Sequence, residues 1–337
     1  MQSLFEPLIC TKRIDETSDA TTFEFKKLDD AAFEYQAGQF LTFEVDVAGE
    51  VEHRAYSLSS TPSKPESVAV TIKRVVGGKV SNYLLDHLQA GMALPAMAPA
   101  GSFTIENNPV SADILLMSAG SGITPCMSMA RWLLDTQQKV NIHFIYSACS
   151  ETDIIMATTL KQLDEQHANF RLSFILEQTD NSAFMEGRLN TENFTQLVND
   201  VNGKTIFTCG PTLYMQVVES IAEQRGFNMD LFHKESFVAE NDATTEQSDN
   251  SVSYQGIAPQ HGKNFTINSE KSLLHALEEA GLPIVAACRT GVCGACKCKV
   301  TGDVESSSDA TLSKAQIEQG YVLSCSTKAS SDLVVEL

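Results

Sequence analysis

The sequence predicts a multidomain fold with an antiparallel β-barrel first, a doubly wound α/β domain second and a small α+β domain last. From Leu8 to about Phe103 the apolar residues mostly alternate, in short segments separated by Gly and Pro, as in antiparallel strands. After Asp113 the apolar runs become nearly continuous and alternate with helical stretches, which is typical of buried parallel strands. A capped helix and a group of clustered cysteines follow near the C-terminus.

Length and composition agree with several folded domains. With 337 residues the chain is too long for one ordinary core, and 43% hydrophobic and 20% charged residues are typical of a globular protein. We expect domains at 1–106, 107–238 and 252–337. The acidic segment 239–251 has almost nothing to bury and is predicted to be a linker.

Each domain has its own predicted elements. Strands of the first domain are expected at 22–25, 39–45 and 68–75. Buried strands of the second domain are expected at 114–119, 140–146, 170–176 and 205–209. A helix is predicted from Ser269 to Gly281, where the glycine suits a left-handed C-terminal position and Pro283 prevents continuation.

The charge of the chain excludes some partners. A net charge of −19 would repel nucleic-acid phosphates and anionic lipid, so neither is expected to bind. The acidity indicates either simple solubility or steering towards a basic face of a protein partner. The sequence contains no uninterrupted apolar stretch of about 18 residues, so no membrane-spanning segment is predicted. The first residues lack the features of a secretory signal, so we expect a cytoplasmic protein.

Four cysteines indicate an iron-sulfur site. Cys288, Cys293 and Cys296, with Cys325 later in the chain, have the C-x4-C-x2-C…C spacing of a plant-type [2Fe-2S] cluster. Glycines within this loop allow the backbone to curl around the cluster and donate N–H groups to its sulfurs. The alternative is a zinc ribbon, but that site pairs two C-x2-C knuckles and the sequence has one.

The other cysteines have a simpler interpretation. Cys298 is expected to be an ordinary small side chain near the cluster. The scattered cysteines are predicted to be buried core thiols, namely Cys10, Cys126, Cys149 and Cys209.

Four further motifs resemble the ferredoxin-NADP reductase superfamily. They are Arg54-Ala-Tyr-Ser-Leu-Ser-Ser, Gly77-Gly-Lys-Val-Ser-Asn, Gly120-Ser-Gly-Ile-Thr-Pro and Cys209-Gly-Pro. With the cysteine loop, the resemblance covers essentially the whole chain. It implies a flavin-binding β-barrel, a nicotinamide-binding α/β domain and a β-grasp ferredoxin domain, in that order.

The resemblance also implies roles for residues of the first domain. Arg54 would hold the flavin pyrophosphate or phosphate, Tyr56 would stack on the isoalloxazine and Ser57 would hydrogen-bond near N5, and Ala55 between them is also expected to bind the cofactor. Backbone N–H groups around Gly78 and Val80, together with Ser81, would cradle phosphate oxygens at a helix start. FAD is the expected flavin, with FMN as the alternative.

In the second domain, a helix N-terminus is expected to meet the dinucleotide pyrophosphate. Gly120, Gly122 and Thr124 form this turn, although Thr124-Pro125 stands where a third glycine is expected. By resemblance, Cys209, followed by Gly210 and Pro211, would lie beside the nicotinamide C4. Glu235 and Phe237 would lie near the flavin ring, with a solvated carboxylate and a core aromatic as the alternatives. Ser57, Cys209 and Glu235 are the predicted catalytic residues.

NADH is the expected nicotinamide substrate. NADP-binding sites place cations just after the second strand of the nucleotide domain. Here the stretch that follows this strand, from Ser147 up to Lys161, contains no Arg or Lys before that lysine. A 2′-phosphate beside Glu151 and Asp153 would be unfavourable. Many members of the superfamily carry Arg at the position of Cys149, so the adenosine contacts differ here.

These predictions describe an electron-transfer enzyme. Electrons would pass from NADH to FAD, to the [2Fe-2S] cluster and then to a protein acceptor. The resemblance is closest to the NADH oxidoreductases that reduce the hybrid-cluster protein, so that protein is the expected acceptor. Two alternatives are the reductase component of an aromatic-ring oxygenase or demethylase, and a non-catalytic iron-sulfur redox sensor.

Overall fold

A computed structural model describes five stretches of the chain, 4–136, 139–237, 252–289, 291–309 and 311–337. The predicted linker at 239–251 lies outside the described residues. The described residues form two compact units, the first with residues up to Glu52 and Tyr56–Phe237, and the second with His53–Ala55 and the C-terminal part. None of the helices described is long and apolar enough to cross a membrane.

The first domain is a curled antiparallel sheet. Its elements are β1 Glu6–Asp15, β2 Ala20–Lys27, β3 Phe40–Val47, β4 Glu50–Ser57, β5 Val68–Lys73, α1 Lys79–His87 and β6 Ala93–Ala96. The strand order is β4-β3-β6-β1-β2-β5, and a β-bridge between Leu58 and Val70 links its two edges. The alternating residues predicted this arrangement, since one side of each strand, including Phe23, Phe25 and Phe43, fills the core.

The second domain is a doubly wound α/β sheet, as predicted. Its elements are β7 Asp113–Ala119, α2 Ile123–Thr136, β8 Asn141–Ala148, α3 Ala157–Gln166, β9 Phe170–Leu176, β10 Met185–Glu186, α4 Thr191–Leu197, β11 Lys204–Cys209, α5 Thr212–Gln224 and β12 Phe232–Glu235. The strands are parallel in the order β10-β9-β8-β7-β11-β12. Because the order reverses direction at β7, a crevice opens at the carboxyl ends of β7 and β11.

The barrel keeps its own core, but a few residues of the first domain join the hydrophobic cluster on one face of the α/β sheet. The rings of Phe103 and Phe207 meet edge to face, with 5.5 Å between centroids. Arg131 on α2 donates to the carbonyl oxygen of Ser59 at 2.6 Å. Helix α2 therefore holds the segment that directly follows Ser57, and this contact fixes Ser57 relative to the α/β sheet.

The C-terminal domain is a mixed sheet covered by a helix. Its elements are β13 Ser253–Ala258, β14 Lys263–Asn268, α6 Leu273–Glu279, β15 Lys297–Thr301, β16 Val304–Ser306, α7 Lys314–Glu318, β17 Tyr321–Leu323, β18 Thr327–Ala329 and β19 Leu333–Glu336. The strand order is β14-β13-β19-β15-β17, with a separate β16-β18 pair. Strand β13 is parallel to β19 and antiparallel to β14, as in a β-grasp fold.

Helix α6 begins later than predicted. The sequence indicated a start at Ser269, but the side chain of Ser272 caps the helix by accepting from the N–H of His275. The N–H of Ser269 donates to the carbonyl oxygen of Val252 at 2.9 Å, so this residue is held in the turn after β14, beside the residue that precedes β13. The predicted end agrees, since Gly281 has a φ of +61°.

Candidate functional site

The predicted flavin residues lie at the end of β4. Arg54 is exposed, Ala55 and Tyr56 are half-buried, and Ser57 is buried. The ring of Tyr56 packs against Phe43, with 6.2 Å between centroids. A guanidinium, an aromatic ring and a hydroxyl therefore follow one another on one strand, and these groups suit the phosphates, the ring system and the polar edge of a flavin.

The loop before α1 has the form of an anion site. Gly78 precedes the first helical residue, and a Cβ built on it would lie 2.5 Å from Ser81 Oγ. Asn82 Nδ2 donates to the carbonyl oxygen of Val75 at 3.0 Å, which fixes the loop. Gly78, Val80 and Ser81 thus lie together at a helix N-terminus. The N–H of Gly78 donates to the carbonyl oxygen of Val75 at 2.9 Å, so the N–H groups of Val80 and Ser81 are the ones that can donate to phosphate.

The two glycines of the turn between β7 and α2 are needed for different reasons. Gly120 has a φ of +54°, and a Cβ built on it would point into open space. Gly122 packs against β11, and its Cβ would lie 2.1 Å from the carbonyl oxygen of Cys209. Thr124 Oγ1 donates within the turn at 3.0 Å, so this residue offers its N–H rather than its hydroxyl to a ligand.

Tyr146 also supports this turn, and sequence reasoning missed it. Its hydroxyl donates to the carbonyl oxygen of Gly120 at 3.0 Å, and the side chain is fully buried. Tyr146 lies on β8, and only the pairing of β8 with β7 brings it to Gly120. In the sequence, Tyr146 is one more apolar residue of a buried strand, so this contact could not be predicted.

The segment after β11 faces the same crevice. A Cβ on Gly210 would lie 3.2 Å from the backbone nitrogen of Ala119, so the two strand ends are closely packed. Pro211 directly precedes α5. Cys209 is fully buried, and burial, followed by the nearby Glu235 carboxylate, raises the pKa of its thiol. Cys209 is therefore a neutral thiol at physiological pH.

Ser57, Cys209 and Glu235 lie together, although the first and last are far apart in sequence. Ser57 Oγ donates to Glu235 Oε2 at 3.2 Å, and Cys209 pairs with Glu235 in the β11–β12 register. Glu235 is only partly buried as a residue, but desolvation of its carboxyl raises its pKa to about 8, with the Ser57 hydrogen bond opposing the rise. The site therefore holds a carboxyl that can bind or release a proton near neutral pH.

Phe237 lies two residues beyond Glu235 and is 48% exposed. Nearby, Lys234 Nζ pairs with the Glu219 carboxylate at 2.7 Å, which ties β12 to α5. An exposed ring at this place is open to stacking, but the contact with the flavin stays a prediction.

The four predicted ligand cysteines are neighbours in the C-terminal domain. The Sγ atoms of Cys296 and Cys325 lie 3.2 Å apart, and the Cys288 thiol is within hydrogen-bond reach of Cys293 and Cys325. The N–H of Gly291 donates to Cys325 Sγ at 3.1 Å. In the part of the chain that the structure describes, no three His, Cys, Asp or Glu side chains converge on a single-ion site, and the thiols form successive pairs instead.

This donor set fits an iron-sulfur cluster. Neighbouring thiols and burial raise the pKa values of Cys293 and Cys325, whereas the hydrogen bond with Cys325 lowers the pKa of Cys296 to about 7. Four thiolates at this spacing are therefore stable together only around bound cations, and two irons supply the required charge.

Backbone geometry explains the glycines of the cysteine loop. Gly291 has a φ of +74°, and its Cβ would lie 2.7 Å from Ser326 Oγ. Gly294 has a φ of +76°, and its Cβ would lie 2.8 Å from Thr311 Oγ1. Any larger residue at either position would strain the loop and push it away from its neighbours. The spare Cys298 is 1% exposed and belongs to the core of this domain, as expected of an ordinary side chain.

One cysteine prediction was wrong. Cys10, Cys126 and Cys209 are buried, but Cys149 is exposed. Cys149 directly follows the last residue of β8, so it has left the buried sheet and lies at the carboxyl edge. The predicted strand at 140–146 already ended before Cys149, so the error lay in assigning a scattered cysteine to the core by default.

Three family models match the chain in succession. An oxidoreductase FAD-binding domain matches residues 7–105, an oxidoreductase NAD-binding domain matches 116–220, and a 2Fe-2S iron-sulfur cluster binding domain matches 258–330. The predicted cofactors FAD, NADH and a [2Fe-2S] cluster are thereby confirmed, as is the order of the three folds.

Curated relatives match over nearly the whole chain. A glycine betaine monooxygenase reductase subunit from Chromohalobacter salexigens is 34% identical, over 97% of this chain and 94% of its own. A stachydrine N-demethylase reductase subunit from Rhizobium meliloti is 31% identical, over 98% and 96%. The NADH oxidoreductase HCR of Escherichia coli is 34% identical, over 90% and 89%.

A solved structure shares the same architecture. Phthalate dioxygenase reductase, described as a modular structure for electron transfer from pyridine nucleotides to [2Fe-2S], superimposes with a TM-score of 0.65. The match covers 99% of this chain and 98% of that one at 22% identity, which shows a shared fold.

Proposed function

Because the chain belongs to the ferredoxin-NADP reductase superfamily, among the members with a C-terminal plant-type [2Fe-2S] domain, we propose that it is the reductase component of an oxygenase system. The chain is an NADH:acceptor oxidoreductase that uses FAD and a [2Fe-2S] cluster. The observation that carries the proposal is the four-thiol loop in the same chain as the flavin and nicotinamide sites, because such a loop serves a one-electron exit to another protein.

The first domain would bind and orient the flavin. When bound, FAD takes two electrons from NADH as a hydride and passes them on one at a time. In our proposal Arg54 and the N-terminus of α1 hold the phosphates, and Tyr56 covers the ring. Ser57 presents its hydroxyl towards the reacting edge, and its contact with Glu235 fixes its direction.

The second domain would align the nicotinamide. The turn at Gly120 and the start of α2 hold the pyrophosphate, and Cys209 borders the nicotinamide on the buried side. Because burial raises the pKa of the Glu235 carboxyl to about 8, this group is mostly protonated at pH 7 and adds no full negative charge beside the reacting atoms. Its Oε2 accepts the hydrogen bond from the hydroxyl of Ser57.

The similar proteins favour an oxygenase as the electron acceptor. Reductase subunits of a monooxygenase and of a demethylase match 97% and 98% of this chain, at 34% and 31% identity. The second candidate acceptor is the hybrid-cluster protein, which the motif resemblance predicted and which the 34% identical Escherichia coli relative supports. Both acceptors use the same internal route, and they differ in the protein that docks on the ferredoxin domain.

Anaerobic kinetics with purified acceptors test the proposal. We expect the reductase with NADH to reduce a Rieske-type oxygenase component from a demethylation system faster than it reduces hybrid-cluster protein. The Cys325→Ser variant is the control, since loss of a cluster ligand should remove protein-acceptor reduction and leave ferricyanide reduction by the flavin. Faster reduction of hybrid-cluster protein would reverse the assignment, and absence of NADH turnover with ferricyanide would contradict the enzyme function itself.

A further inference from the structure

The carboxyl ends of β8 and β9 form a shared edge beside the dinucleotide crevice. The N–H of Glu177 donates to the carbonyl oxygen of Ala148 at 3.1 Å, and that of Gln178 to Cys149 at 2.9 Å. Thr179 Oγ1 adds a hydrogen bond to Glu151 at 3.2 Å. In a doubly wound fold the adenosine ribose of the dinucleotide lies at the end of the second strand, which here is β8.

A cation reaches this edge from a distant part of the sequence. Arg188 follows β10, and its guanidinium lies 3.0 Å from the Glu177 carboxylate. The Arg188 side chain is 81% exposed and that of Glu177 is 38% exposed. Because the N–H of Glu177 donates to the carbonyl oxygen of Ala148, its ion pair places the arginine near the end of β8. The sequence prediction found no cation here because Arg188 lies far beyond Lys161.

We propose that Glu177 makes the enzyme select NADH over NADPH by engaging Arg188, the cation that would otherwise bind the 2′-phosphate. This inference rests on the NADH-dependent function proposed above and adds a specificity-determining pair to it. Arg188 is a suitable phosphate ligand because its planar fork matches phosphate as well as carboxylate. Glu177 occupies that fork and adds a negative charge that repels a phosphate dianion.

The Glu177 carboxylate decides whether this edge offers a free positive charge to a 2′-phosphate. With Glu177 present, Arg188 is neutralised and Glu151 remains as a second carboxylate at the same edge. Without the Glu177 charge, the arginine is released for an incoming phosphate. The side chains are exposed, so the effect is moderate and is weakened by salt.

Calorimetric titration of the holoenzyme with two adenosine fragments tests the inference without turnover. The probes are 2′,5′-ADP and 5′-AMP, which differ in the 2′-phosphate. For Glu177→Gln we expect the affinity ratio of 2′,5′-ADP to 5′-AMP to rise about fivefold to tenfold, and the kcat/KM ratio of NADPH to NADH with ferricyanide to rise in parallel. Adding Arg188→Ala should return both ratios to their wild-type values.

Glu186→Gln is the matched control. Glu186 is an exposed carboxylate on β10, so its replacement changes the net charge equally without releasing Arg188. The inference would be overturned if the affinity ratio of 2′,5′-ADP to 5′-AMP were unchanged in Glu177→Gln, or if it rose equally in Glu186→Gln. It would also be overturned if the higher ratio of Glu177→Gln persisted after Arg188→Ala was added. Failure of NADH oxidation in the wild-type enzyme is a separate result, because it would contradict the proposed function and not the fragment affinities.

Discussion

We expect the carboxyl of Glu235 to make the stability of the protein depend on pH, and we expect Glu235→Gln to lack this dependence. The pKa of this group rises from 4.5 to about 8 in the folded protein, because desolvation penalises the charged form. Between these two values the folded state retains a proton that the unfolded state releases. The free energy of unfolding therefore falls as pH rises from about 4.5 to about 8, and the loss is complete above that range.

The size of the effect follows from proton linkage. Each tenfold change in proton affinity corresponds to about 1.4 kcal/mol, so full burial would give about 5 kcal/mol. Glu235 is partly exposed, and we expect about 2 kcal/mol between pH 5 and pH 8. Since Gln at this position binds no proton, the stability of Glu235→Gln relative to wild type should increase by that amount over this range.

Thermal unfolding of the holoenzyme at intervals from pH 5 to pH 9 measures this change. A difference of about 2 kcal/mol corresponds to a melting temperature shift of about 4–8 °C for a unit of this size. Glu223→Gln is the matched control, because Glu223 is an exposed carboxylate on α5, and its difference from wild type should not follow the same curve. An equal difference between Glu235→Gln and wild type at pH 5 and pH 8 would refute the linkage argument.

Three further substitutions probe the other sites. Gly122→Ala places a Cβ 2.1 Å from the Cys209 carbonyl oxygen, so we expect a loss of more than about 2 kcal/mol in stability, measured by chemical denaturation, together with weaker NADH binding. Tyr146→Phe removes the 3.0 Å hydrogen bond to Gly120, and we expect about 1 kcal/mol less stability and a KM for NADH raised severalfold in steady-state assays. Cys325→Ser should abolish the [2Fe-2S] signal in EPR spectra of the reduced protein while the flavin absorbance remains.

Local patterns predicted the fold well where a single segment carries the information. Alternating residues in the first domain predicted strands with one buried side, and near-continuous apolar runs in the second predicted parallel strands. Both predictions hold because side-chain burial follows the pleat of each strand. The helix before the cysteine loop is capped by Ser272 and does not start at Ser269, since the hydrogen bond that holds Ser269 in the preceding turn comes from a separate segment.

The candidate site was also predictable only where one segment carries the information. The cysteine spacing predicted the cluster ligands, because four thiolates are the requirement of the inorganic group itself, and the structure brings these four thiols together. The environment of Glu235 was not predictable, and a solvated carboxylate was an open alternative. Its hydrogen bond to Ser57 spans two domains and depends on how α2 packs on the barrel.

The sequence by itself determined the order of the three folds and the three cofactors, and it predicted four sulfur ligands for the cluster. Only the tertiary structure decided that Tyr146 supports Gly120, that Gly122 packs on Cys209 and that Arg188 meets Glu177. The physical reason is that periodicity and ligand spacing are properties of one continuous segment. Contacts between strand ends depend instead on the order and register of the sheet, which many distant residues set together.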